Sequence, residues 1–214
     1  MKVRSVIFDM DGTLLNTLQM IMECNNDVLE RNGFVRRSYE EYKNFVGDGM
    51  MTLLKRALPQ GTDDETARRL IPQVLELYYG RDMKTIPPYD GVTELLDTLV
   101  AKGIKISILT NKEHRYAVLN AQAVLPQYHF ETVLGERAGK PLKPDPYGVY
   151  EISEITGVPL NETVFVGDMK ADVLTGKNSG VFTFGCLWGF GKKEDLEGAD
   201  RLISHPLEIL DIID

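Results

Sequence analysis

Val6–Asn16 reads VIFDMDGTLLN, and the rest of the chain is organised around this stretch. A short apolar run ends in two aspartates one residue apart, Asp9 and Asp11, followed by Gly12 and Thr13. Residues i and i+2 of a strand face the same side. With Lys2–Phe8 as a strand, both carboxylates sit at its carboxyl end and turn toward one point. Gly12 permits a sharp turn there, because glycine tolerates positive φ. Two acids at a strand end suit a hard cation and carboxylate chemistry.

Beyond this stretch the period changes. Leu18, Ile21, Met22, Asn25, Val28 and Leu29 repeat at helical spacing, with Gly33 past the end. Ser38–Glu41 reads as a capping box that opens a second helix. A third carries Met50, Leu53, Leu54, Ala57 and Leu58 and stops at Pro59. Thr62–Glu65 reads as another capping box. The helix behind it runs through Ala67, Leu70, Val74 and Tyr78, with a kink expected at Pro72. Pro87-Pro88 breaks this all-helical stretch.

Strands and helices then alternate. Helices are expected at Val92–Val100, His114–Val124, from the Asp145-Pro146 cap to Gly157, at Lys170–Ser179 and at Pro206–Ile213. Strands are expected at Ile104–Leu109, Glu131–Leu134, Thr163–Val166, Val181–Phe184 and Arg201–Ile203. Such alternation implies a parallel sheet covered on both faces. The fold class is therefore α/β: a Rossmann-like parallel sheet with an all-helical insert after its first strand. The core takes residues 1–16 and 83–214, and the insert residues 17–82.

Composition narrows the function. The chain has 214 residues, 43% of them hydrophobic, with 24 Lys and Arg against 32 Asp and Glu, for a net charge of -8. That balance argues against nucleic acid and anionic membrane as partners. No apolar run reaches the roughly 20 residues of a membrane span, and the amino terminus lacks a signal-peptide pattern. Cys24 and Cys186 have no metal-type spacing and read as free thiols. A soluble cytoplasmic protein is expected.

Ligands of parallel sheets bind beyond the carboxyl ends of the strands. Collected there are Asp9 and Asp11, Thr110 and Asn111, Lys143 before a proline-capped helix, and Asp168 with Asp172 four residues on. Three carboxylates near one point repel one another and call for a cation, and hard oxygen ligands favour Mg²⁺. A hydroxyl, an amide and an ammonium hold the oxygens of a phosphate. Together they suggest phosphoryl transfer to a carboxylate.

Asp9–Thr13 (DxDGT), Thr110-Asn111, Lys143 within Lys143–Pro146 (KPDP) and Gly167–Asp172 (GDxxxD), in that order, resemble the four motifs of the haloacid dehalogenase superfamily. The resemblance covers nearly the whole chain, and the helical insert lies where that family places its substrate-covering cap. Val46–Gly49, Tyr89–Val92, Thr110–Lys112, Val166–Asp168 and Leu187–Gly191 are similar to the phosphoglycolate phosphatase-like branch. The resemblance implies a set of roles. Asp9 is the nucleophile that takes the phosphoryl group, and Asp11 the general acid and base. Mg²⁺ is held by the Asp9 carboxylate, the Asp11 backbone carbonyl and Asp168. Thr110, Asn111 and Lys143 bind the phosphoryl oxygens, and Asp172 orients Lys143 or a bound water.

Asp11 favours a phosphatase or a phosphomutase, because the dehalogenases of this superfamily lack that second aspartate. The expected activity is Mg²⁺-dependent hydrolysis of a small phosphorylated metabolite, with 2-phosphoglycolate the first candidate. Rival readings are a β-phosphoglucomutase-type mutase, a pyrophosphatase and, outside enzymes, a receiver-like phosphate-sensing module. The insert argues against the last, since a receiver needs no lid. Oligomeric state, monomer or dimer, is left open. Met169 departs from the Ser or Thr usual in the branch, and Asn16-Thr17 from its usual Asp-Ser. Lys140-Pro141 competes with Lys143-Pro144, and Lys143 is preferred because KPDP leads into the helix. Lys55 and Arg56 read as solvated helix residues, and His114, His129 and His205 as surface or core residues.

Overall fold

The computed structural model describes residues 2–213, so the outermost residues of the core range, 1 and 214, lie outside it. Six parallel strands form one sheet: β1 (Ser5–Phe8), β2 (Lys105–Glu113), β3 (Val133–Glu136), β4 (Thr163–Gly167), β5 (Phe182–Cys186) and β6 (Arg201–Ile203). They stand in the order β3-β2-β1-β4-β5-β6. β1 is central and pairs Phe8 with Ile108 on one side and with Val166 on the other. Its side chains alternate between two cores. Val6 and Phe8 pack with Ile106, Ile108, Val164 and Val166, while Ile7 packs with Leu109, Val149, Ile152 and Phe165. All are buried, each worth about 1.5–3 kcal/mol as a side chain removed from water. A strand buried on both faces explains why the sequence shows an unbroken apolar run rather than alternation.

The first core is completed by helices α5 (Val92–Ala101) and α6 (His114–Val124), the second by α7 (Tyr147–Thr156). A further helix, α8 (Lys170–Ser179), packs on α7, β4 and β5. Between β1 and α5 lie four α-helices, α1 (Leu18–Arg31), α2 (Tyr39–Phe45), α3 (Gly49–Ala57) and α4 (Asp64–Tyr79), then a short 3-10 helix at Met83–Thr85, and no strand. The chain enters and leaves this insert at one place. Asn16 N–H donates to the Pro87 carbonyl at 2.9 Å, and Tyr89 N–H donates to the Leu14 carbonyl at 3.1 Å. Leu15 and Pro88 form an antiparallel bridge between them.

Several element ends differ from the sequence expectation. β2 runs on through Thr110 and Asn111 to Glu113, with its register on β3 shifting between Leu109 and Glu113. β3 starts two residues later than expected. The cap of α4 is Asp63, which accepts from Thr66 N–H; the Thr62 hydroxyl donates instead to the Pro59 carbonyl. Here the nearer carboxylate outcompetes the hydroxyl. α7 begins at Tyr147, whose N–H is held by Asp145, so Pro146 sits one position earlier than expected. The expected last helix is a 3-10 helix, Pro206–Ile212. α4 continues through Pro72 as one helix, and the capping box at Ser38 forms with Glu41 as read.

Candidate active site

β1 delivers Asp9 to the carboxyl edge of the sheet, where Asp9 N–H still donates to the Val166 carbonyl at 2.8 Å. The chain then folds back on itself: the amides of Thr13, Leu14 and Leu15 all turn to the Met10 carbonyl. Gly12 has φ 94° in this turn, and a Cβ there would meet an Asp168 carboxylate oxygen at 2.3 Å. Glycine is required on both counts, because the turn is left-handed and the carboxylate occupies the space of a side chain.

β4 and α8 supply two more acids. The carboxylates of Asp9, Asp168 and Asp172 are buried, and one oxygen from each lies within 4.8 Å of the others. The Asp168 oxygens are held by the Thr13 hydroxyl at 2.8 Å and by Phe190 N–H at 2.7 Å. Asp172 accepts from Met169 N–H at 2.9 Å. The Lys143 ammonium, 7% exposed, donates to Asp9 at 2.7 Å and to Asp172 at 2.6 Å.

One ammonium among three carboxylates leaves negative charge in excess. Burial pushes the Asp9 carboxyl up to about 7 against the pull of Lys143, with Asp172 and Asp11 adding to the rise. Burial, then Asp9 and Asp172, hold Asp168 well above the ordinary carboxylate range, although the Phe190 and Thr13 hydrogen bonds oppose this. Burial alone would lower the Lys143 ammonium, but the Asp172 and Asp9 carboxylates raise it. An all-oxygen, acid-rich cluster fits a hard divalent cation and offers no nitrogen or sulfur for a softer one.

Asn111 ties the site together. Its carboxamide oxygen accepts from Lys143 N–H at 2.8 Å, and its nitrogen donates to the carbonyls of Lys143 and of Gly47 in the insert. Thr110 is buried, and its hydroxyl accepts from Lys112 N–H at 3.3 Å. Asp9, Asp11, Thr110, Asn111, Lys143 and Asp172 border one pocket, and Asp168 lies outside that lining with a carboxylate oxygen within 4.8 Å of one of Asp9. Lys140 is exposed and reaches Tyr147, so the second Lys-Pro does not enter the site. Neither do Lys55 and Arg56, which pair with Asp64 and Asp48 at 2.6 Å each. None of the three histidines borders the pocket.

The Asp11 carboxylate stands apart from the acid cluster. It binds the Lys112 ammonium at 3.1 and 3.2 Å. Lys112 also lies 4.7 Å from the ring centre of Tyr78 on α4, and the Tyr78 hydroxyl accepts from Asn120 at 3.1 Å. Burial alone would lower the Lys112 ammonium, but Asp11 and Tyr78 together raise it. The sequence offered Lys112 only as the third residue of Thr110–Lys112. Its task becomes visible once Asp11 and the insert meet over it. Met169 also gains a reason: it borders the pocket against Gly47, where an added Cβ would come 2.8 Å from the methionine methyl.

The chain is similar in sequence and in fold to known proteins. A phosphoglycolate phosphatase from Pseudomonas fluorescens is 31% identical over 193 residues, 87% of this chain and 70% of that protein. An N-acetylmuramic acid 6-phosphate phosphatase from Pseudomonas aeruginosa is 26% identical, covering 100% and 96%. A crystal structure from Lactobacillus delbrueckii subsp. bulgaricus superposes with a TM-score of 0.92 at 26% identity, covering 100% and 99%. The family model for haloacid dehalogenase-like hydrolases matches residues 6–186. That span runs from the central strand past the last of the clustered acids, and the chain belongs to the haloacid dehalogenase-like hydrolase family.

Proposed function

We propose that the protein is a Mg²⁺-dependent phosphatase that hydrolyses a small phosphate monoester through an aspartyl-phosphate on Asp9. The observation that carries this reading is the buried cluster of Asp9, Asp168 and Asp172 around one ammonium, beside a pocket with a separate, lysine-held Asp11. The names of the relatives support phosphatase chemistry, and 2-phosphoglycolate is the first compound to assay.

In this reading the Asp9 carboxylate attacks phosphorus and the ester oxygen leaves. Asp11 gives that oxygen a proton, then takes one from the water that cleaves the phosphoenzyme. Lys143, Thr110 and the Asn111-braced loop hold the phosphoryl oxygens. Asp9, Asp168 and the Asp11 backbone carbonyl would hold Mg²⁺, which would supply positive charge against the transferring group. Residues 17–82 form a cap that closes over the core, residues 1–16 and 83–214, and keeps bulk water from the phosphoenzyme. No helix among the described residues is long and apolar enough to cross a membrane.

Phosphate release measured with and without Mg²⁺ tests the reading. Activity is expected to need Mg²⁺ and to vanish with chelator, and added Mg²⁺ is expected to raise the melting temperature. Isomerised ester without released phosphate would favour the mutase instead, and stable phosphorylation without turnover the receiver-like module.

Lys112 gives a finer prediction. Lys112→Met removes the group that holds Asp11 without touching the nucleophile. The expected loss in kcat is about tenfold for an alkyl phosphate, part of the 10²–10⁴ that a general acid supplies. It is smaller for p-nitrophenyl phosphate, whose phenolate leaves without a proton. Equal losses on the two substrates would remove Lys112 from the proton path.

A further inference from the structure

Past Asp9 the pocket is walled by the helical insert. Ile21, Val46, Met50, Leu53 and Leu75 make an apolar surface there. Set in it is Asn25 of α1, which is 0% exposed. Its side-chain nitrogen donates to the Ile21 carbonyl of the same helix at 2.8 Å. Its side-chain oxygen is buried with no partner. The assignment is fixed locally, because flipping the amide would set that oxygen against the Ile21 carbonyl, acceptor to acceptor. The Tyr116 hydroxyl, in the same pocket, is likewise buried without a hydrogen-bond partner.

An unsatisfied buried acceptor costs about 1–3 kcal/mol. Nothing in the fold returns that cost at Asn25, since a leucine would fill the site without it. Charge sets a second condition. The pocket's cations are Lys112 and Lys143, and both already bind carboxylates. Its other charged residues are acids: Asp9, Asp11, Asp172 and Glu113. The proposed Mg²⁺ belongs to Asp9 and Asp168; away from it, a second anionic group on the substrate would meet the Asp11 and Glu113 carboxylates and no free cation among the described pocket residues.

We infer that the pocket takes a phosphate monoester whose leaving group is uncharged and presents an O–H or N–H donor to the Asn25 oxygen, with its apolar face on the insert wall. A phosphorylated polyol or sugar has this chemistry. 2-Phosphoglycolate does not, since beyond its phosphate it offers only a carboxylate, an acceptor and an anion. The inference rests on the phosphatase reading and narrows its substrate.

The full chain with Mg²⁺ is to be assayed on glucose 6-phosphate, ribose 5-phosphate, glycerol 1-phosphate, 2-phosphoglycolate and p-nitrophenyl phosphate. At least one hydroxyl-bearing ester is expected to exceed 2-phosphoglycolate in kcat/KM by about tenfold or more. Asn25→Leu deletes the acceptor at similar volume. It is expected to lower the kcat/KM ratio of that ester to p-nitrophenyl phosphate by about tenfold, the equivalent of one hydrogen bond, mostly through KM. A ratio cancels any loss of folded protein, and the wild-type ranking stands even where the variant does not fold. 2-Phosphoglycolate ranking first, or a ratio unmoved by Asn25→Leu, would overturn the inference and leave the phosphatase intact. No hydrolysis of any of the five esters would overturn both.

Discussion

Asp9→Asn is expected to abolish turnover of every phosphate ester and, in metal-free buffer, to make the protein more resistant to heat. The loss of rate follows from chemistry. An amide cannot take the phosphoryl group, and losing a nucleophile costs about 10⁴-fold or more. The gain in stability follows from position. Asp9 is buried among other acids, and its carboxyl is pushed up to about 7, above the ordinary carboxylate value. A carboxyl raised by folding binds its proton more tightly in the native state. Its contribution to stability is therefore complete below the unfolded pKa and is lost as pH rises through the folded one. The melting temperature of Asp9→Asn should exceed that of the wild type above neutral pH, and the gap should close as the pH falls toward the ordinary carboxylate range. Substantial residual phosphate release in the variant would remove Asp9 as the nucleophile.

Lys143→Met is expected to cost both activity and stability. The substitution keeps the aliphatic stem and removes the charge, leaving Asp9, Asp168 and Asp172 buried together with no ammonium. Breaking a buried ion pair at one partner costs about 3–5 kcal/mol, and here one ammonium serves two carboxylates. Phosphate release should drop by about 10²–10³-fold, the scale of losing one preorganised electrostatic contact. Added Mg²⁺ should raise the melting temperature more in Lys143→Met than in the wild type, because a divalent cation has more uncompensated charge to neutralise. Melting curves with and without Mg²⁺ read this directly. An equal Mg²⁺ response in the two proteins would mean that lysine and metal do not share the same carboxylates.

The parts of the site legible in the sequence are those fixed by a strand end. Asp9, Thr110 and Asp168 follow or close apolar runs, and the parallel register carries them to one edge. Lys143 was legible through KPDP, and the structure brings it rather than Lys140 to the acids. Partnerships across long separations were not legible. Nothing local says that Lys112 holds Asp11, that the Thr13 hydroxyl serves Asp168, or that Asn111 binds Gly47 of the insert. Element ends were misread where two groups compete for one amide. At α4 the choice lay between Thr62 and Asp63, and at α7 the proline fell one position before the helix. The unpaired oxygen of Asn25 was invisible for a related reason. At helical spacing it reads as one more inward-facing position, and only the packed pocket shows that no partner waits for it.

The paired crossing at Leu14–Asn16 and Pro87–Tyr89 has a consequence for how such a chain changes over evolutionary time. Exit and return are bonded to each other by backbone groups alone, so the opening in the core does not depend on which side chains lie beyond it. The crossing itself places no demand on the length of the helical segment beyond it, and lengthening that segment adds little closure entropy, about 0.6 kcal/mol per doubling. The acid-bearing edge of the sheet and the helical wall above it can therefore diverge at separate rates. One set of acids can be inherited unchanged while the segment above it is traded for another.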